Sequence, residues 1–138
     1  GKPYSSFMTR IQKQRPFHIL KIGLNTDRKN LYVRINQRVD QMIAAGLEEE
    51  ARNLYPFMAN NALNTVGYRE WFDHFDGLLS KEEAIEKIKS NTRRYARKQL
   101  TWFKRDPDIN WFDISETNRI IPFIESNMYN LWNKPDNL

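Results

Sequence analysis

The 138-residue sequence contains no cysteine, which excludes disulfide bonds, thiolate zinc sites and a cysteine nucleophile. A chain without cysteine suits a reducing compartment. No apolar run approaches the roughly 20 residues that a membrane-spanning helix needs, and the first residues do not have the pattern of a secretory signal peptide. These features predict a cytoplasmic location and no membrane partner.

Glycine is scarce, with five residues, and none belongs to a phosphate loop of the G-x-x-x-x-G-K-[ST] type. The two histidines, His18 and His74, are far apart, and no spacing typical of metal ligands accompanies them. We expect both to be structural or surface residues. The sequence therefore predicts no metal site and no catalytic residue of its own, and the chain alone is expected to be inactive as an enzyme.

Positive charge is abundant and unevenly placed. The net charge is +5, from 22 basic and 17 acidic residues. The segment 93–105 alone contains six basic residues and no acidic one. A local positive patch of this kind indicates a polyanionic partner.

Hydrophobic spacing predicts a mixed chain in which helices predominate. An apolar run predicts a largely buried strand at 17–24, and a shorter run predicts a second strand at 109–114. The last helix is expected to be interrupted or kinked near Pro122. The predicted helices are 5–14, 29–45, 47–54, a short one ending near Gly77, 81–104 and 116–132.

Local signals mark several helix ends and one buried face. Ser80 and Glu83 form a capping box at the start of the longest helix, and Gly46 stands where a left-handed C-terminal cap is expected. In the helix at 29–45 an apolar stripe is predicted at Leu31, Ile35, Val39 and Met42.

Two strands are too few for a stable sheet. Strands separated by helices in this way belong to α/β folds with neighbouring strands. We therefore expect the missing strands to come from elsewhere, most simply from an N-terminal segment of the same protein.

Arg34 and Arg38 are four residues apart and share one helix face. Two guanidinium groups presented together suit a phosphate or pyrophosphate, because their planar donors match its oxygens. The alternative is a solvated face, with Arg34 paired to Asp40 or Glu49.

Two further segments suit an RNA partner. Gly67 at a loop-to-helix junction offers free N–H groups, and Arg69 adds charge, although a plain turn is the alternative. In 92–104 basic residues alternate with aromatic, Gln and Thr residues, which suits phosphates and base edges. The alternative for this helix is a solvated basic face, with Tyr95, Trp102 and Phe103 in the core.

Several motifs in order resemble the second half of the tRNA dimethylallyltransferase family. The resemblance covers roughly residues 1–113, and the tail beyond Asp113 is not diagnostic. Its motifs are 21–24, Asp27-Arg28, 31–42, Gly46-Leu47, 66–70, 92–103 and Trp111.

The resemblance implies the C-terminal half of a P-loop nucleotide-kinase-like domain with a parallel sheet. It implies that 1–138 is the C-terminal part of a catalytic domain. The phosphate loop, a catalytic Asp and most of an inserted tRNA-binding helical domain would lie in a missing N-terminal half. The implied reaction transfers a dimethylallyl group from dimethylallyl pyrophosphate to N6 of the adenosine 3′-adjacent to the tRNA anticodon, with Mg²⁺ in the full-length enzyme.

Site residues follow from the same resemblance. Arg38, with Arg34, would bind the pyrophosphate. The tRNA anticodon stem-loop would contact Asn64, Thr65, Val66, Gly67, Tyr68, Arg69, Arg93, Arg97, Lys98, Gln99, Leu100, Thr101, Trp102, Phe103 and Lys104. Two alternatives stay open: a non-catalytic helical RNA-binding module, which the strands oppose, and a fragment of a small-molecule kinase, which has no need of a basic–aromatic helix.

Overall fold

The computed structural model of the chain describes residues 17–132, with side chains as far as residue 129. The predicted helix at 5–14 lies outside these residues. Three short 3₁₀ helices occur at Tyr55–Phe57, Asn61–Leu63 and Ile114–Arg119. The main elements, in chain order, are β1 (Lys21–Asn25), α1 (Arg28–Ala44), α2 (Leu47–Leu54), α3 (Tyr68–Phe75), α4 (Lys81–Phe103), β2 (Ile109–Asp113) and α5 (Ile120–Trp132).

The hydrophobic core lies among the first four helices. Its buried members are Val39, Leu47, Ala51, Trp71, Phe72, Ala84 and Ile88. From α1, Ile35 and Val39 are buried as predicted, but Met42 is 38% exposed and Ile43 packs on the core instead. Ile43 follows Val39 by four residues, as Val39 follows Ile35, so all three lie on the same face of α1. After the turn at Gly46, α2 packs against this face.

The predicted helix ends are confirmed where local chemistry sets them. Ser80 Oγ accepts the Glu83 N–H at 3.1 Å, and the Glu83 carboxylate accepts the Ser80 N–H at 2.7 Å, which completes the capping box. Gly46 takes a φ of +100° between α1 and α2. At the start of α1, Asp27 accepts the Asn30 N–H at 3.0 Å.

The two strands pair in parallel, with Gly23 opposite Trp111. A Cβ at Gly23 would lie 2.7 Å from the Trp111 ring, so only glycine leaves room for that ring. The prediction of a largely buried strand at 17–24 is wrong: the strand spans Lys21–Asn25, is at most half-buried, and Leu24 is 53% exposed. Within residues 17–132, β2 is its sole strand neighbour, so 17–20 have no ladder to join.

The predicted kink at Pro122 is also wrong. The chain changes direction earlier, within Ile114–Arg119, where Glu116 has non-helical angles. Pro122 then lies in the first turn of α5. Because N–H groups of a first turn have no partner inside the helix, proline is tolerated there. Phe123 packs edge-on against Phe112 of β2, with ring centroids 5.2 Å apart.

Candidate nucleic-acid interface

Two adjoining clefts run along α4, and together we call them the α4 groove. The first cleft, of about 560 Å³, lies between α4 and the loop before α3, and the second, of about 440 Å³, lies towards the end of α4. Arg94 and Lys98 line both. The first cleft is also lined by Asn64, Thr65, Val66, Arg69, Glu70, Asp73, Lys87, Ser90, Asn91 and Tyr95, and the second by Arg97, Thr101, Trp102 and Arg105.

The α4 groove brings together the two segments that the sequence assigned to RNA. Asn64, Thr65, Val66 and Arg69 face Lys98 across the first cleft. Its other cations are Lys87 and Arg94. Arg94 belongs to the predicted RNA-contacting stretch 92–104 and lies one turn before Lys98, although it is not among the individually predicted contact residues. Lys87 carries no comparable sequence signal.

The cations of the α4 groove are available to a ligand. Within the described part of the chain, none of them forms a salt bridge with a carboxylate. Guanidinium and ammonium groups held along one groove can neutralise successive phosphates of a nucleic-acid backbone. The groups concerned are those of Arg69, Lys87, Arg94, Arg97, Lys98 and Arg105.

Gly67 does not offer a free N–H of its own, which corrects the prediction for this junction. Its N–H donates to Glu70 Oε2 at 2.8 Å, and Gly67 is buried with a φ of +108°. A residue with a Cβ is strained at that φ, so glycine is required for the backbone. Its neighbour Tyr68 turns away from the groove: it stacks on Phe72 and donates a hydrogen bond to Glu50, which raises the pKa of its hydroxyl.

Arg93 lies on the opposite side of α4, against α1. Its Nη1 donates to Asn36 Oδ1 at 2.6 Å, and its guanidinium lies 5.9 Å from the Tyr32 ring centroid. The pKa of Tyr32 is lowered, first by a hydrogen bond from Arg28 and further by the charges of Arg28, Arg97 and Arg93. The structure thus separates Arg93 from Arg94 and Lys98, while Arg97 lies between the two faces.

The aromatic residues of α4 are not in the core, contrary to the alternative considered for them. Trp102 is 66% exposed, Tyr95 is 57% exposed, and Phe103 is also exposed. Trp102 and Phe103 pack edge to face, with centroids 5.0 Å apart. Exposed aromatic rings beside cations suit the stacking of unpaired bases.

A third cavity, of about 850 Å³, lies between the sheet and the C-terminal half of α4, and we call it the sheet pocket. Trp102 lines both the sheet pocket and the α4 groove. The predicted RNA-contacting residues Gln99, Leu100 and Phe103 also face the sheet pocket, while Lys104 is exposed and lines none of these three cavities. Much of the wall of the sheet pocket is apolar and is formed by Leu24, Leu31, Leu100, Phe103, Ile109 and Trp111.

Arg34 lines the sheet pocket near the C-terminal end of β1, whereas Arg38 lies one turn further along α1 and is not part of its wall. Both side chains are exposed, and neither forms a salt bridge within residues 17–132. The alternative pairing of Arg34 with Asp40 is wrong, because Asp40 pairs with Lys89 at 2.8 Å.

An ion pair fixes the floor of the sheet pocket. Lys21 Nζ of β1 lies 2.7 Å from Asp106 Oδ2 and 3.4 Å from Asp108 Oδ2, beyond the end of α4. The hydrogen bond to Asp106 raises the pKa of Lys21, and the same bond lowers the pKa of Asp106. The pair joins β1 to the segment that follows α4.

The two histidines line none of these three cavities. His74 Nδ1 donates to the Leu79 carbonyl at 2.9 Å and its ring packs on Trp71, and His18 is an exposed residue before β1. Over residues 17–132, no three His, Asp or Glu side chains come together as metal ligands would. In the same range no helix combines the length and the apolar composition that crossing a membrane requires.

The chain is similar to known proteins over most of its length. It is 62% identical to tRNA dimethylallyltransferase 2 of Parabacteroides distasonis over 120 residues, covering 87% of this chain and 40% of the relative. It is 54% identical to tRNA dimethylallyltransferase 1 of Bacteroides fragilis over 128 residues, covering 93% of this chain and 42% of the relative.

Solved structures agree with these relatives. The full-length tRNA isopentenylpyrophosphate transferase of Bacillus halodurans matches with a TM-score of 0.77 at 38% identity, over 86% of this chain and 42% of that one. The tRNA delta(2)-isopentenylpyrophosphate transferase of Staphylococcus epidermidis matches with a TM-score of 0.73 at 35% identity, over 80% and 38% of the two chains. The chain thus spans about two fifths of the length of the relatives it matches. Residues 1–106 match the family model described as IPP transferase, and the chain belongs to this family.

Proposed function

We propose that this chain is the tRNA-gripping C-terminal part of an enzyme that transfers a dimethylallyl group from dimethylallyl pyrophosphate to N6 of the adenosine 3′-adjacent to the tRNA anticodon. The observation that carries the proposal is the meeting of 64–69 with 94–105 in one basic groove. Its relatives are named for a tRNA substrate and this prenyl group.

The α4 groove would hold the backbone of the anticodon stem-loop through its unpaired cations. Trp102 lines both this groove and the sheet pocket, so a base leaving the stacked loop would pass this ring on entering the pocket. The apolar wall of the sheet pocket suits a dimethylallyl chain. The adjacent cavities, one basic and one largely apolar, support a proposal in which the two substrates bind side by side.

In the transfer, N6 of adenosine forms a bond to C1 of the dimethylallyl group while the C1–O bond breaks. The bonding electrons leave with the pyrophosphate, and the N6 proton goes to a base. Arg34 and Arg38 would stabilise the growing negative charge on the leaving group, because preorganised donors are worth most where charge develops. The base and the phosphate loop would belong to the remaining part of the enzyme.

The sheet supports the proposal that a larger P-loop nucleotide-kinase-like domain includes this chain. Parallel sheets are normally covered on both faces, yet Ile19, Leu20 and Leu24 are exposed. We propose that further strands and the phosphate loop of the N-terminal half complete the sheet beside β1. The described residues offer no acidic cluster that could hold Mg²⁺.

A helical RNA-binding module without catalysis has no use for the sheet pocket, and a small-molecule kinase has no use for the α4 groove. Binding separates these alternatives. We expect the 138-residue chain to bind an anticodon stem-loop hairpin and to show no measurable affinity for mononucleotides. Equal binding of both ligands would contradict the proposal.

Activity is testable in a chimaeric enzyme, in which this chain replaces the matching segment of the Parabacteroides distasonis relative. We expect the chimaeric enzyme to transfer a labelled dimethylallyl group to unmodified tRNA. Arg94→Ala/Lys98→Ala should raise KM for tRNA by about tenfold or more and leave KM for dimethylallyl pyrophosphate unchanged. The charge-matched control is Lys29→Ala/Arg119→Ala, which removes two cations outside the groove. A folded chimaeric enzyme without transfer, or equal effects of both pairs, would overturn the proposal.

A further inference from the structure

Two carboxylates, Glu70 and Asp73, form part of the wall of the α4 groove, and of the two only Glu70 is fully buried. Glu70 is 3% exposed, and both of its oxygens accept hydrogen bonds. Oε2 accepts the Gly67 N–H at 2.8 Å, and Oε1 accepts Asn91 Nδ2 at 2.7 Å. Because Gly67 ends the loop and Asn91 belongs to α4, this carboxylate joins the two sides of the groove.

Helix capping alone does not require this arrangement. In the Ser80 capping box, Glu83 accepts the N-cap N–H at 2.7 Å in the same way, but it is exposed and reaches no other helix. Burying a carboxylate is costly unless hydrogen bonds satisfy it. A negative charge in a groove for a polyanion is a further cost, so Glu70 needs a role beyond the cap.

The bridged residues are close in sequence to cations on both sides of the groove. Arg69 directly precedes Glu70, and Arg94 follows Asn91 by one helical turn. Gly67, with its φ of +108°, has no side chain to pack, so its N–H is the contact through which Glu70 fixes the end of the loop. Phosphates along an RNA backbone have a regular spacing, and cations held at a matching distance lose less conformational entropy on binding.

We propose that Glu70 is a positioning residue. It acts through Asn91 to hold the loop 64–67 against α4, so that Arg69 and Arg94 form a preformed two-sided grip on an RNA backbone. This inference rests on the proposed function and adds to it a residue that does not itself touch the RNA.

Four variants of the 138-residue chain distinguish the effect of losing the Glu70–Asn91 hydrogen bond from the effect of changing the charge. Asn91→Ala removes the donor without changing charge. Asn91→Asp places two carboxylates together. Glu70→Gln/Asn91→Asp restores the original charge and both hydrogen bonds, because the amide N–H of the Gln donates to the new carboxylate and its carbonyl accepts the Gly67 N–H. Glu83→Gln is the matched control in the other capping box.

Affinity is measured by fluorescence anisotropy with a labelled RNA hairpin of anticodon stem-loop sequence, at one salt concentration and well below each unfolding temperature. We expect Asn91→Ala to weaken binding by about tenfold, because the loop loses its anchor. Asn91→Asp should weaken it at least as much, and the double variant should return to within about threefold of the original affinity. Glu83→Gln should leave the affinity unchanged.

A thermodynamic cycle with Arg69→Ala tests whether the bridge acts through its neighbour. If it does, Asn91→Ala should weaken binding much less in the Arg69→Ala background, because coupled residues are not additive. Circular dichroism confirms that each variant is folded. Should Asn91→Ala not fold, the comparison of Asn91→Asp with the double variant decides the question.

The outcomes separate this inference from the function on which it rests. If the unmodified chain does not bind the hairpin, the proposed function fails. If it binds, and folded Asn91→Ala binds equally well, the positioning role fails and the function stands. A double variant that stays as weak as Asn91→Asp would also overturn the positioning role.

Discussion

Arg34 and Arg38 differ in their surroundings although one helical turn separates them. Of the two, Arg34 lines the sheet pocket and Arg38 does not, whereas the family resemblance assigns the pyrophosphate contact to Arg38. In the chimaeric enzyme we expect Arg38→Ala to lower kcat by about 10²–10³ and to raise KM for dimethylallyl pyrophosphate, because a preorganised donor is lost where charge develops. Affinity for tRNA should stay within about fivefold, since one exposed contact is worth about 1 kcal/mol or less.

Steady-state kinetics with each substrate varied in turn gives the measurement, and Arg34→Ala is the comparison. Arg38→Lys should recover only part of the loss, because a point charge replaces a planar fork of donors. An intact kcat with weakened tRNA binding would place Arg38 among the RNA-contacting residues. A large loss of kcat in Arg34→Ala alone would move the leaving group to the sheet pocket.

The helix α4 divides its basic residues between two faces. Arg94 and Lys98 face the groove, whereas Arg93 donates to Asn36 of α1. For RNA hairpin binding by the 138-residue chain, we expect Arg94→Ala/Lys98→Ala to make the slope of log affinity against log salt shallower by about 1.4–1.8, at about 0.7–0.9 for each lost phosphate contact. Arg93→Ala should leave the slope unchanged and lower the unfolding temperature. An unchanged slope for the double variant would mean that this face is only solvated.

Elements were predictable where their signals are local. The Ser80 capping box and Gly46 gave α4 and the α1–α2 turn, because each signal acts within a few residues. The prediction of a strand at 17–24 was wrong, because the length of a strand depends on the neighbouring strands that pair with it. In the same way, the periodicity of α4 placed Trp102 and Phe103 in a core that these residues do not reach.

The segments that form the candidate site could be predicted from the sequence, but the contacts between these segments could not. The basic run and the Gly67 junction were visible, whereas their meeting in one groove depends on how α3 packs against α4. Glu at the third position of α3 is a capping signal, but nothing in the sequence links it to Asn91, which lies 21 residues later. Long-range contacts of this kind come from tertiary packing.

At the scale of the whole molecule, the described residues combine a helical core with a parallel sheet of two strands. The helical core is closed around Trp71 and Ile88, so the α4 groove should form without any further segment. The sheet pocket, by contrast, borders β1, in which Leu24 is exposed, as are Ile19 and Leu20 just before the strand. We therefore expect this chain to bind RNA although it does not catalyse the transfer by itself.

We predict that the 138-residue chain binds the RNA hairpin but does not transfer a dimethylallyl group. The sequence contains no phosphate loop to hold the pyrophosphate, and within the described residues β1 pairs only with β2 and leaves Leu24 exposed. The measurement is label transfer from radioactive dimethylallyl pyrophosphate to unmodified tRNA, with the chimaeric enzyme as the positive control. A dye that fluoresces on apolar surface should bind the chain alone and bind less to the chimaeric enzyme, because the added strands cover β1. Turnover by the chain alone at the rate of the chimaeric enzyme would show that these residues hold both substrates and the base without a further domain.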